Sequence, residues 1–176
     1  MPHFFRWLDL SSNRITEVRD FYDLRSQLVV QTLDLSHNQI RRIAASAVPD
    51  SVSFVSLNVN QIKEIEDSAF ADKIYLRKLD LYANQLVHLK ESQLRLSPLA
   101  NPEIYLGGNP LSCDCHLQWL AASGTSNGNG LDIRDIDSIY CHRSVRSMFP
   151  FPSVKMGSNC KASTIITVQC NAPHMT

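Results

Sequence analysis

The sequence predicts an α/β solenoid. Its stacked coils carry a parallel sheet on the concave side and irregular or short-helical segments on the convex side, and a disulfide-stapled cap closes the C-terminal end. Three observations predict it. Five asparagines, Asn13, Asn38, Asn60, Asn84 and Asn109, recur at gaps of 25, 22, 24 and 25 residues. Fixed offsets around each asparagine are apolar. All 5 cysteines, at 113, 115, 141, 160 and 170, fall in the last third of the 176-residue chain.

The offsets define the coil. Three residues before the asparagines stand Leu10, Leu35, Leu57, Leu81 and Leu106. Five before stand Leu8, Leu33, Val55, Leu79 and Ile104, and two after stand Ile15, Ile40, Ile62, Leu86 and Leu111. Eight before stand Phe5, Val30, Val52 and Leu76; five after stand Val18, Ile43, Ile65 and Leu89. Asn101 and Asp114 interrupt these last two rows in the final unit. In a chain that is 44% hydrophobic, 23 apolar residues at 25 tested positions is not a chance result. The pattern L-x-x-L-x-L-x-x-N-x-L is that of a leucine-rich repeat.

Each element follows from residue type. The x-L-x-L-x stretch alternates with period two, so it forms a short strand with leucines inward and the x residues outward. Parallel strands stack because one coil can bury its apolar face only against its neighbours. The chain then turns inside a buried environment, leaving backbone N–H and C=O groups without ladder partners. An asparagine amide, both donor and acceptor, satisfies them and links coil to coil. The five asparagines are therefore read as a structural ladder. None lies in an N-x-[ST] sequon, and the chain contains no such sequon. Phe70, Val48 and Leu94 occupy the convex position ten residues after an asparagine, where Asp23 breaks the row. Pro49 and Pro98 discourage long convex helices.

From Gly107 the composition changes, through GGNPLSCDCHLQWL, DIRDIDSIYCH and MGSNC. A stack of coils ends in a raw apolar edge that a terminal segment must cover. Leu117, Trp119 and Leu120 can lay an apolar strip across it as a short helix. Cys113 and Cys115, two apart, share one face of an extended segment and so need different partners. Cysteines of this density belong to an oxidising compartment. Sequence alone leaves the pairing open. It also leaves a zinc alternative drawing on Cys113, Cys115, His116, Cys141 and His142, although C-x-C is tight for one tetrahedron. Cys170 is left over. Residues 121–130, AASGTSNGNG, read as a loop on the cap's surface. Residues 161–170 read as a strand, followed by a frayed tail.

Composition removes whole classes of function. The 17 Lys+Arg balance the 17 Asp+Glu, which argues against electrostatic capture of nucleic acid or of an anionic membrane. No apolar run approaches the length of a transmembrane helix, and MPHFFRWLDL lacks the plan of a signal peptide. The 6 histidines are scattered, without H-E-x-x-H, G-x-S-x-G, P-loop or G-x-G-x-x-G motifs. His37 precedes Asn38 in a solvent-facing turn, and Cys141 is explained by a disulfide before catalysis. Neither enzyme activity nor cofactor is expected. Protein recognition remains.

Geometry says where a partner would sit. The outward rows are Trp7, Thr32, Phe54, Lys78 and Glu103, then Asp9, Asp34, Ser56, Asp80 and Tyr105, then Ser11, Ser36, Asn58, Tyr82 and Gly107. The row Asp9, Asp34, Asp80 invites an acidic-stripe or calcium reading, but Asp is a frequent filler of L-D-L and Ser56 interrupts it. Trp7, Phe54, Tyr82 and Tyr105 are the better candidates for partner contact, because exposed aromatics on a rigid sheet anchor interfaces. Phe5, Leu8 and Leu10 line a first coil with nothing before it, which predicts self-association.

The stretch PEIYLGGNPLSCDCHLQWL, followed by DIRDIDSIYC, resembles the juncture of repeats and cysteine-rich flank in invertebrate Toll receptors. LDLSSNRI and LDLSHNQI fit the same family. The likeness covers roughly residues 5–160. It implies three parts: leucine-rich repeats over 1–111, a cysteine-rich cap over 112–160, and a tail over 161–176. In the tail, Cys170 would open a further cysteine-rich module. It implies the pairs Cys113–Cys141 and Cys115–Cys160. It further implies a protein-binding ectodomain used in innate immune or developmental signalling. Such an ectodomain stands on the outer face of the plasma membrane or is secreted, and it binds a protein ligand or another receptor chain. The chain would be a fragment or short form of such a receptor. An adhesion or neuronal guidance protein, or a structural matrix protein, could share the same repeats.

Overall fold

The period-two stretches form strands. In a computed structural model, which describes residues 3–18, 28–97, 99–112, 117, 119–120, 131–141 and 154–155, one parallel sheet runs through every coil. It consists of β1 (His3–Asp9), β2 (Leu28–Asp34), β4 (Phe54–Ser56), β6 (Lys78–Asp80), β7 (Glu103–Tyr105) and β8 (Asp132–Ile133), in that spatial order. Equal offsets of the repeat stand opposite one another. Trp7, Thr32, Phe54, Lys78, Glu103 and Asp132 make one row. Leu8, Leu33, Val55, Leu79, Ile104 and Ile133 make the next. A slip of one residue would turn every leucine outward, so the buried face fixes the register.

The core is the set of inward rows. Leu33, Val55, Leu79 and Ile104 are buried, as are Leu35, Leu57, Leu81 and Leu106 and the post-asparagine row Ile40, Ile62, Leu86 and Leu111. The convex row Val48, Phe70 and Leu94 closes the other side. Burying each such side chain contributes about 1.5–3 kcal/mol, offset largely by ordering the chain. Polar groups also cross between coils. Lys73, only 2% exposed, places its ammonium on the Asp50 carboxylate. The buried Gln93 amide donates to the Ile65 carbonyl at 2.7 Å.

The convex side is less helical than the α/β class implies. Among the described residues its helical element is the 3-10 helix Glu91–Leu94; a second lies in the cap at Ile136–Ser138. Elsewhere it is made of turns and a narrow parallel ladder, β3 (Arg42–Ile43) with β5 (Glu64–Ile65), which Val18 extends through Ile43. The physical reason is length and conformation. The path from Ile65 to Leu76 is short, and Ser68 within it has φ 61°, outside the helical region.

At the C-terminal end Leu117, Leu120 and Ile139 are buried. The Trp119 indole N–H donates to the Leu89 carbonyl at 3.2 Å, and β8 adds a sixth strand. Beyond it, β9 (Tyr140–Cys141) pairs antiparallel with β10 (Val154–Lys155). Cys113, Cys115, Cys160 and Cys170 lie outside the described residues, as do His116, His142 and the loop 121–130, and Cys141 is described in its backbone alone. The disulfide pairing and the zinc alternative therefore rest on residues beyond those described. At the opposite end Leu8, Leu10 and Ile15 are only partly buried.

Candidate binding face

The concave face owes its rigidity to the turn beneath it. Asn60 Nδ2 donates to the carbonyls of Leu57 and, one coil back, Leu35, while its Oδ1 accepts the Ile40 N–H at 3.0 Å. Asn38 does the same toward Leu35, Leu10 and Ile15, Asn84 toward Leu81, Leu57 and Ile62, and Asn109 toward Leu106, Leu81 and Leu86. Asn13 is exposed and, among the described residues, bonds within its own turn, to the Leu10 and Ser11 carbonyls. The residue before each asparagine is left-handed: Ser12 (φ 54°), His37 (54°), Val59 (53°), Ala83 (53°) and Gly108 (72°). At Gly108 a Cβ would approach the Ala83 backbone to 3.1 Å, a tight contact that adds to the advantage of glycine at this φ. The backbone ladder runs on past the strands into this turn, for example Val59 N–H to Tyr82 C=O at 3.0 Å.

Asp135 ends the sheet. Its Oδ1 accepts the Leu106 N–H at 2.9 Å and its Oδ2 the Gly107 N–H at 2.7 Å, so a side chain occupies the place of a further strand's carbonyls. A Cβ at Gly107 would meet that Oδ2 at 2.7 Å, which explains the glycine. Sequence reasoning assigned Asp135 no role. Neither periodicity nor a motif marks an acceptor contributed from outside the repeat.

On the outward face Trp7 is 66% exposed, Phe54 42% and Tyr82 46%. Tyr105 stands in the same face but is only half-exposed: the Lys78 ammonium lies 4.6 Å from its ring centroid, and its hydroxyl reaches Glu103 at 3.5 Å. The acidic row has a local structural role. Asp9, Asp34 and Asp80 each accept, through Oδ1, the N–H two residues on: Ser11 and Ser36 at 2.9 Å, Tyr82 at 3.2 Å. The side-chain and backbone hydrogen bonds from Ser11 hold the Asp9 carboxyl below its ordinary value of 3.8. Toward the C-terminal end charges neutralise one another. Lys78 pairs with Asp80 at 3.6 Å, and Arg134 bridges Glu103 and Asp132 at 2.8 and 2.9 Å. Among the described residues no three His, Cys, Asp or Glu side chains gather as a metal site would need.

Buried leucine rows, an asparagine in every turn and an open parallel sheet define a leucine-rich repeat solenoid. Within that class the chain is a Toll-like leucine-rich repeat segment. It is 41% identical over 124 residues to Toll-like receptor 7 of Drosophila melanogaster, an alignment covering 68% of this chain and 9% of that receptor. It is also 33% identical over 100 residues to the human leucine-rich repeat and fibronectin type III domain-containing protein 1, covering 52% of this chain and 13% of that protein. The rat leucine-rich repeat and fibronectin type-III domain-containing protein 4 matches at 29% over 102 residues, covering 52% of this chain and 16% of that protein. The chain thus spans a small part of each relative. No family model matches it. Among the described residues no helix is long and apolar enough to cross a membrane.

Proposed function

We propose that the chain is a protein-binding segment of a Toll-like cell-surface receptor ectodomain, without catalysis, acting in innate immune or developmental signalling. The concave sheet is its docking face. One observation supports this most: Trp7 and Phe54 stand exposed on strands, and Tyr82 just past the end of β6, over inward rows that are buried from the second coil onward. Large aromatics on so stiff a support lose little entropy on binding, which is what interface anchors require. The partner is a protein ligand or another receptor chain.

The test is position-dependent. A photo-crosslinking amino acid is placed at Phe54 or Tyr82, and in a control at Tyr75, which is 56% exposed but lies outside the three outward rows. Protein adducts from the first two positions and none from Tyr75 are expected; adducts from Tyr75 alone overturn the assignment.

The similarity to leucine-rich repeat and fibronectin type III proteins favours adhesion or neuronal guidance as a second reading. Modules flanking these repeats in the parent transcript separate the two. Extracellular placement carries the pairs Cys113–Cys141 and Cys115–Cys160 with it. Alkylation of the denatured, unreduced chain should then label one thiol, and labelling of four or five removes the extracellular assignment. Leu8, Leu10 and Ile15 are partly exposed where their counterparts Leu33, Leu35 and Ile40 are buried.

A further inference from the structure

The outward face divides into unlike halves. In the last coils each base has an acid: Lys78 with Asp80, Arg134 with Glu103 and Asp132. In the first three coils the outward rows are Trp7, Asp9 and Ser11, Thr32, Asp34 and Ser36, and Phe54, Ser56 and Asn58, without a single base. Among the described residues no Lys or Arg pairs with Asp9 or Asp34, the strand's own Arg6 included. Asp9 and Asp34 nevertheless stand directly opposite each other in register. Like charges so placed repel. Each carboxylate is held in place by the N–H it accepts through Oδ1. Trp7 and Phe54 flank Thr32 in the adjoining row, about 10 Å apart at the usual strand spacing.

Two exposed rings two strands apart, each beside uncompensated carboxylates, suit one kind of occupant. We propose that the first three coils dock a protein partner through its arginine side chains, held over the Trp7 and Phe54 rings and paired with Asp9 and Asp34. This rests on the concave-face reading and adds the chemistry of the partner. Arginine fits better than lysine because its planar, weakly hydrated cation stacks on rings and forks onto carboxylates at once. The charge complementarity also makes docking sensitive to salt, since these carboxylates are exposed.

The chain's 2 tryptophans allow a clean test. Trp7 reports the site, whereas Trp119, with its indole bonded to the Leu89 carbonyl, reports the fold of the cap. The indole N–H resonances of the full chain are followed while Nα-acetyl-arginine amide is added, and then its neutral isostere Nα-acetyl-citrulline amide. The Trp7 signal should move saturably with the arginine derivative alone, Trp119 should stay still, and Asp9→Asn with Asp34→Asn should weaken the response roughly fivefold. An equal response to citrulline, or one indifferent to the two asparagine substitutions, overturns the proposal. An unmoved Trp7 while Phe54 still crosslinks a protein overturns the arginine preference alone; loss of both removes the docking face with it.

Discussion

A buried asparagine in this solenoid joins two coils through three or four hydrogen bonds, and no other side chain of its size offers both donors and an acceptor at that reach. Asn84, for example, donates to Leu57, Leu81 and Tyr82 and accepts from Ile62. Asn60→Ala or Asn84→Ala strands those groups and should cost about 1–3 kcal/mol in urea unfolding. Asn13→Ala removes bonds from an exposed turn only and should change stability by less than about 0.5 kcal/mol. Equal losses at all three sites would contradict the inter-coil role. Val59 shows the opposite case. It is β-branched and exposed, and it holds φ 53° where the neighbouring coils place Ala83 and His37. A left-handed conformation costs such a residue about 1–2 kcal/mol. Val59→Asn should therefore raise stability by roughly 0.5–1 kcal/mol, and a loss would show that Val59 packs more than its exposure indicates.

At the scale of elements, the sheet's two ends differ. The C-terminal end is finished by β8 and by the Asp135 carboxylate, which takes up two N–H groups that a further coil would otherwise bind. Asp135→Ala should destabilise the cap by about 2 kcal/mol and speed amide exchange at Leu106 and Gly107 first. Slower or unchanged exchange there would mean that those groups have another acceptor. Gly107→Ala should act in the same direction by displacing the carboxylate that a Cβ would meet at 2.7 Å. The repeat strands were legible in the sequence because period-two alternation and the asparagine offset both depend on local spacing alone. The convex segments were not. The buried row Val48, Phe70 and Leu94 recurs ten residues after an asparagine, but the path between is set by a left-handed Ser68 and by Gln93 reaching back to Ile65, neither of which has a periodic signature.

For the whole molecule, the same legibility divides the binding face. Which residues point outward follows from period two, so Trp7, Phe54 and Tyr82 could be placed on that face before any coordinates. That Tyr105 would be covered by Lys78 could not, because the pair forms across neighbouring strands. Nor could the division of charge, in which Arg134 enters from the cap to neutralise Glu103 while Asp9 and Asp34 have no basic partner among the described residues. A stack held by buried rows and side-chain ladders makes each outward residue replaceable without loss of fold, and this gives the most direct measurement. Affinity for the protein captured by crosslinking at Phe54 should be compared for the wild-type chain, Tyr82→Ala, Tyr105→Ala and Tyr75→Ala, with unfolding midpoints taken alongside. A concave docking face predicts a loss of about tenfold or more for Tyr82→Ala, a smaller one for Tyr105→Ala and none for Tyr75→Ala, at near-constant midpoints. Undiminished affinity in both concave variants, or a loss confined to Tyr75→Ala, would contradict it.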